Sequence, residues 1–151
     1  MEALNYEKRG YLLEDFRLFH LSSALKEDTD FHYHEFHKLV FFLSGLGHYL
    51  VEGRSYALHP YDIVLVQKGA IHKAEITPDA PYERIILYID PTFLERSSST
   101  QSRLDYCFLA AAQEKRFVLR PDFDRREKLL HILSEMERAS GSDAYGQDIP
   151  R

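Results

Sequence analysis

From Lys38 to Ser44 the chain reads Lys-Leu-Val-Phe-Phe-Leu-Ser, apolar at odd and even positions alike. Successive side chains of a strand point to opposite faces, so such a run predicts a strand covered on both sides, in the middle of a sandwich or barrel. Gly45 and Gly47 end it at a tight turn. The same pattern of short apolar stretch and breaker then repeats. His48–Val51 leads to a hairpin turn centred on Gly53, and Tyr56–His59 returns to Pro60-Tyr61-Asp62. Ile63–Gln67, His72–Thr77 and Tyr82–Asp90 continue the series across Gly69 and the Pro78-Asp79-Ala80-Pro81 breaker, and Asp15–Leu21 precedes it. Many short strands at close intervals predict a mostly β, antiparallel barrel or sandwich. Ten Phe and ten Tyr in 151 residues suit sheet structure, and the length fits one domain with its own core.

After Pro91 the character changes. Pro91–Glu95 predicts a helical turn, Ser97–Thr100 a polar connector, and Arg116–Arg120 a short strand, with Leu104–Ala112 ambiguous. Between Asp122 and Ser140, Leu129, Ile132, Leu133 and Met136 fall at i, i+3, i+4 and i+7, the stripe of an amphipathic helix, with Asp124 and Glu127 as a capping pair and Gly141 as a stop. The plain reading of the stripe is core, facing the chain's own sheet. The expected organisation is a β body with an amino-terminal arm over 1–95 and a helical tail over 96–151 packed on it. The first ten residues are expected to be a flexible arm or a short helix, and a further helix is expected to begin near Asp143.

Charge and sequence class exclude some functions. A formal net charge of −5 weighs against gripping nucleic acid through phosphates. The single Cys107 excludes an internal disulfide framework and reads as a small buried residue. Met1–Arg9 lacks a basic head and apolar core, and no run approaches a membrane span, so a cytoplasmic location without membrane contact is expected.

The residues able to do chemistry concentrate between Phe31 and His72. His32 and His34, one residue apart, share a side of an extended segment, and His72 arrives one hairpin and one strand later. Three imidazoles suit zinc, nickel, copper or iron and leave coordination positions open. A His-x-His by itself is more often an ordinary hydrogen-bonded pair; the third histidine makes the case about even. His37 stands at odd spacing from His34 and points away, whereas Lys38 shares the face of His34. An ammonium there repels a divalent cation and attracts an anionic ligand such as a carboxylate.

This stretch resembles the two motifs of the cupin superfamily, small β-barrels with an internal pocket. The first motif, His-x-His, then Glu, then Gly, is met by His32, His34 and Gly45, with Lys38 where Glu is expected. In the second, Gly69 and His72 are in place, with Tyr61 for the first Gly and Gln67 for Pro. More specifically, His32–Lys38, Tyr56–Val66 and Ile71-His72-Lys73, together with the helical tail, resemble the amino-terminal sensing domain of AraC-type transcription regulators over almost the whole chain. That resemblance implies a cupin-like antiparallel β-barrel (double-stranded β-helix or jelly roll) followed by helices. It implies a small-molecule effector bound by His32, His34, Lys38 and His72, with zinc or nickel at the three histidines as an optional ion and no required cofactor or catalytic residue. It also implies a homodimer through Leu129, Ile132, Leu133 and Met136, and DNA contact only through a helix-turn-helix domain outside this chain. Two other classes compete: a free-standing metal-dependent cupin enzyme of the isomerase or dioxygenase type, and a structural interaction domain with a vestigial pocket.

Overall fold

The computed structural model describes residues 7–8, 12, 14–22, 30–78, 81–96, 108, 110–111 and 113–139. Among the described residues, ten strands form two five-stranded sheets. The strands are β1 (Glu7–Lys8), β2 (Phe16–Leu21), β3 (His32–Tyr33), β4 (His37–Ser44), β5 (Gly47–Val51), β6 (Arg54–Ala57), β7 (Ile63–Val66), β8 (His72–Ile76), β9 (Glu83–Ile89) and β10 (Val118–Leu119). One sheet has the order β1-β3-β8-β5-β6 and the other β10-β7-β4-β9-β2. Every pairing is antiparallel except that of β1 with β3.

A closed barrel was the sequence expectation, and the structure corrects it: the two sheets are not joined into one ladder. The strands that would carry the ladder around are short, with only two residues in each of β1, β3 and β10, so hydrogen bonding stops at the sheet edges. Side chains bridge one edge instead, where the Phe117 amide donates to the Tyr56 hydroxyl at 3.3 Å. Within the first ten residues, the described Glu7 and Lys8 are strand rather than helix.

The doubly apolar run is β4, and it lies at the centre of its sheet between β7 and β9. Leu39, Val40, Phe41 and Phe42 are all buried, as a strand covered on both faces requires. Its odd-numbered face is covered from the helical side: the His37 ring stacks on Phe108 at 4.8 Å, and Phe41 packs on Tyr61, over which the Arg126 guanidinium lies at 4.1 Å. Its even-numbered face looks across to the other sheet. A register shift between Phe42 and Ser44 bends the end of the strand.

Turn chemistry follows the sequence closely. Glu52 and Gly53 both take positive φ (49° and 81°), the signature of a two-residue hairpin turn. At Gly47 a Cβ would lie 2.2 Å from the Glu75 carbonyl oxygen, so only glycine lets β5 approach β8 this closely.

Among the described residues, two helices are complete, α1 (Pro91–Arg96) and α2 (Phe123–Ala139). The Asp90 carboxylate caps α1 through the Phe93 amide at 3.1 Å, and Pro91 occupies the first turn, where its missing N–H costs nothing. The expected capping pair of α2, Asp124 with Glu127, is corrected. Asp122 does the work, accepting from the Arg125 amide at 2.9 Å, because Asp124 already lies inside the first helical turn. Within the ambiguous stretch, the described Phe108, Ala110 and Ala111 are helical. Cys107, the connector 97–100 and the segment from Asp143 lie outside the described residues. No helix among the described residues is long and apolar enough to cross a membrane.

Candidate functional site

The three histidines converge. His32 in β3 stands directly opposite His72 in β8, which puts both rings on one face of the sheet. His34 reaches them by a different route from the one alternation suggests. It lies just past β3, where the chain leaves one sheet and bends through Glu35 and Phe36 to enter β4 in the other. The ring centroids lie 4.3 Å (His32–His72), 5.0 Å (His32–His34) and 5.0 Å (His34–His72) apart. One nitrogen from each lies within 4.8 Å of the others.

Backbone carbonyls set the tautomers. His72 Nδ1 is 2.9 Å from the Ala70 oxygen, and His32 Nδ1 is 2.9 Å from the Asp30 oxygen. A carbonyl only accepts, so each Nδ1 carries a proton, and in neutral His72 the Nε2 keeps its lone pair. This is the outer-shell arrangement that orients metal-binding imidazoles. Burial, followed by the nearby Lys38 ammonium and His32, pushes the His72 pKa far below the usual imidazole range, and the ring stays neutral. Its Nε2 is buried without a hydrogen-bond partner among the described residues. An orphaned lone pair beside two further imidazoles fits an ion of the zinc or nickel type, and the three histidines could hold one.

Lys38 takes the inward position that its spacing predicts. It is 8% exposed, pairs in register with Val66 and Tyr88, and lies 5.6 Å from the Tyr49 ring centroid. An ammonium at this place raises the cost of a divalent ion and lowers that of an anion. His37 points the other way, as its parity requires; its Nδ1 accepts from the Lys68 amide at 3.0 Å.

The space between the sheets holds more polar groups than the histidine spacing discloses. Tyr88 and Arg84 occupy the β9 positions opposite Lys38 and Phe42, on the inward face. Tyr88 packs on His34 (5.6 Å) and Phe36 (4.5 Å), and burial raises its phenol pKa. Arg84, 5% exposed, donates from Nη1 to the Tyr82 carbonyl at 2.8 Å and lies 3.9 Å from the Tyr82 ring centroid. Burial lowers its pKa, and burial raises those of Tyr49 and Tyr82 well above the usual phenol range. Tyr49 stacks on His72 at 6.2 Å. Tyr49 and Tyr82 carry no motif; strand pairing brings Tyr49 to His72, while Tyr82, just before β9, packs on Phe42 and Arg84.

The helical stripe divides. Leu133 and Met136 are buried in the chain's own core, while Leu129 and Ile132 are half-buried. His48, His59 and His131 are exposed and lie outside the cluster; His20, also outside it, bonds Glu83 at 2.7 Å.

Comparison with known proteins bears on this arrangement. No curated protein sequence matches the chain. Similar solved structures include a cupin-like protein from Thermotoga maritima (17% identity, covering 54% of this chain and 62% of that one, TM-score 0.45). They also include a cupin protein from Bacteroides fragilis (16%, covering 66% and 89%, TM-score 0.45) and Bacillus subtilis oxalate decarboxylase, described for its Mn(II) centres (17%, covering 56% and 24%, TM-score 0.39). The chain thus spans under two thirds of the Thermotoga protein's length. These TM-scores are all below 0.5, and the assignment rests instead on the family model for the AraC-like ligand binding domain, which matches residues 21–149. With most of its length so matched, this chain belongs to the family of AraC-like ligand binding domains.

Proposed function

We propose that this chain is the effector-sensing and dimerisation part of an AraC-type transcription regulator, working in the cytoplasm and controlling a DNA-binding helix-turn-helix domain carried outside these residues. The observation that carries the reading is the polar space between the sheets, in a chain matched by a ligand-binding family over 21–149. His32, His34 and His72 form one wall, Lys38 and Arg84 bring buried positive charge, and Tyr49, Tyr82 and Tyr88 offer flat faces and hydroxyls. Such a lining suits a small ligand with a carboxylate for Lys38 and a ring or hydroxyls for the tyrosines. Binding shifts the balance between two arrangements of the β body (1–95) and the helical tail (96–151), which is how occupancy reaches a distant domain.

A thermal-shift screen of small carboxylates, sugars and sugar acids tests this reading. A hit whose stabilisation disappears in Lys38→Met supports it, and hits indifferent to that change count against the assigned lining. For the dimer, the half-buried Leu129 and Ile132 are the informative pair, since Leu133 and Met136 already serve the chain's own core. Leu129→Asp should convert a dimer to a monomer in light scattering with little loss of fold. An unchanged mass would remove the helix from the interface.

The convergent ring nitrogens of the three histidines favour one second reading, a metal-dependent enzyme. His32, His34 and His72 would hold the ion, which would supply Lewis-acid polarisation of a substrate oxygen. Lys38 would then orient an anionic substrate rather than ligate. Stoichiometric zinc, nickel or manganese in protein purified without chelator, with turnover that chelation abolishes, would replace the sensing reading with this one.

A further inference from the structure

A cleft of about 420 Å³ opens at the edge where β6 of one sheet faces the segment entering β10 of the other. None of the three histidines lines it. Three cations from three separate stretches of chain do: Arg54 at the start of β6, Lys68 in the turn between β7 and β8, and Lys115 just after the helical residues near 110. Glu52 contributes one carboxylate, and its Oε2 is already held by the Ile71 amide at 2.7 Å. Neither Arg54, Lys68 nor Lys115 makes a side-chain ion pair or hydrogen bond among the described residues, although ion pairs are plentiful elsewhere on the surface.

The backbone commits these residues to the place. Gly69 turns at φ 84°, with open space where a side chain would stand, so the turn presents Lys68 beside an unobstructed surface. Lys115 itself sits at φ 56°, an uncommon conformation for a lysine, as the chain leaves the helix. Phe117 is fixed through its amide to Tyr56 and forms the apolar floor. Bringing three like charges to one cleft raises its energy unless a counter-charge enters.

We propose that this cleft is a second binding site, separate from the space between the sheets, for a small doubly charged oxyanion: a phosphate group or a dicarboxylate. Three cations against one engaged carboxylate leave a net local charge that a dianion neutralises. Arg54 offers the planar fork that grips two oxygens, and the lysines add point charges.

The test is a two-dimensional NMR titration of the full chain at low ionic strength, with inorganic phosphate in one arm and succinate in the other. The expected result is saturable shifts of the Lys68, Gly69 and Phe117 amides by at least one of the two. Arg54→Ala and Lys68→Ala should each weaken binding by about tenfold, as loss of one charge-assisted hydrogen bond would. Both positions are exposed, and unchanged melting of each variant separates lost binding from lost fold. Phosphate alone or succinate alone identifies which dianion the cleft takes. The proposal is overturned if neither anion binds, if the shifts fall at His72 and Tyr88 instead, or if the triple variant Arg54→Ala, Lys68→Ala, Lys115→Gln binds as well as the parent.

Discussion

The two faces of the central strands β4, β7 and β9 are built from alternate residues of the same chain, yet they serve opposite ends. The helix-side face is Leu39, Phe41, Ile63, Leu65, Ile85, Leu87 and Ile89, an apolar layer with His37 at its margin against Phe108. The inward face carries Lys38, Arg84 and Tyr88 toward the histidines of the other sheet. The helix-side face is almost wholly apolar, while the inward face mixes buried Val40, Phe42, Val64 and Val66 with buried charge beside the neutral His72, groups that cost folding energy when no ligand is there to meet them. The difference teaches that the site is carried by its reverse face.

The largest effect should come from the apolar face. Phe41 is fully buried, so Phe41→Ala should lower the unfolding free energy by about 3–5 kcal/mol, read by urea denaturation. A loss below about 1 kcal/mol would mean that this face is not the stabilising one. On the inward face, Lys38→Glu removes the repelling ammonium and adds the carboxylate that the cupin motif expects. Zinc or nickel affinity should rise on the order of 100-fold, a change that isothermal calorimetry resolves easily. If affinity stays the same, Lys38 does not face the ion.

The third effect depends on pH and belongs to the inward face alone. His72 is held neutral in the folded protein, while in the unfolded chain it titrates near its ordinary value of about 6.5. Below that value the unfolded state takes up a proton that the folded state refuses, so the metal-free protein loses stability as pH falls through about 6.5, with a slope of up to about 1.4 kcal/mol per pH unit. Above it His72 adds no pH dependence. Urea midpoints at pH 7.5 and 5.5 should therefore diverge more in the parent than in His72→Gln, and equal divergence would break the assignment. The smallest effect sharpens the division between faces: Asp122→Ala, which removes the cap of α2, should cost about 1 kcal/mol and leave ligand affinity on the inward face unchanged.

Much of this was legible in the residues. The apolar run 39–43 announced a central strand, Gly53 its neighbouring hairpin, and the stripe from Leu129 to Met136 a helix, because each signal is local and periodic. Parity alone separated His37 from Lys38 correctly. Closure of the barrel was not legible, since it depends on whether two-residue strands extend a ladder, and that is decided by long-range packing. Tyr49 was missed for the same reason: a tyrosine in a strand looks alike whether it faces solvent, a helix or a histidine. His34 was placed correctly by an argument that does not hold for it, because the chain has already left its strand there.

His37 and Lys38 are consecutive, yet one ring rests on Phe108 among the helical residues while the other side chain lies beside His72. The polar groups between the sheets and the helical layer are thus divided by a partition one backbone thick.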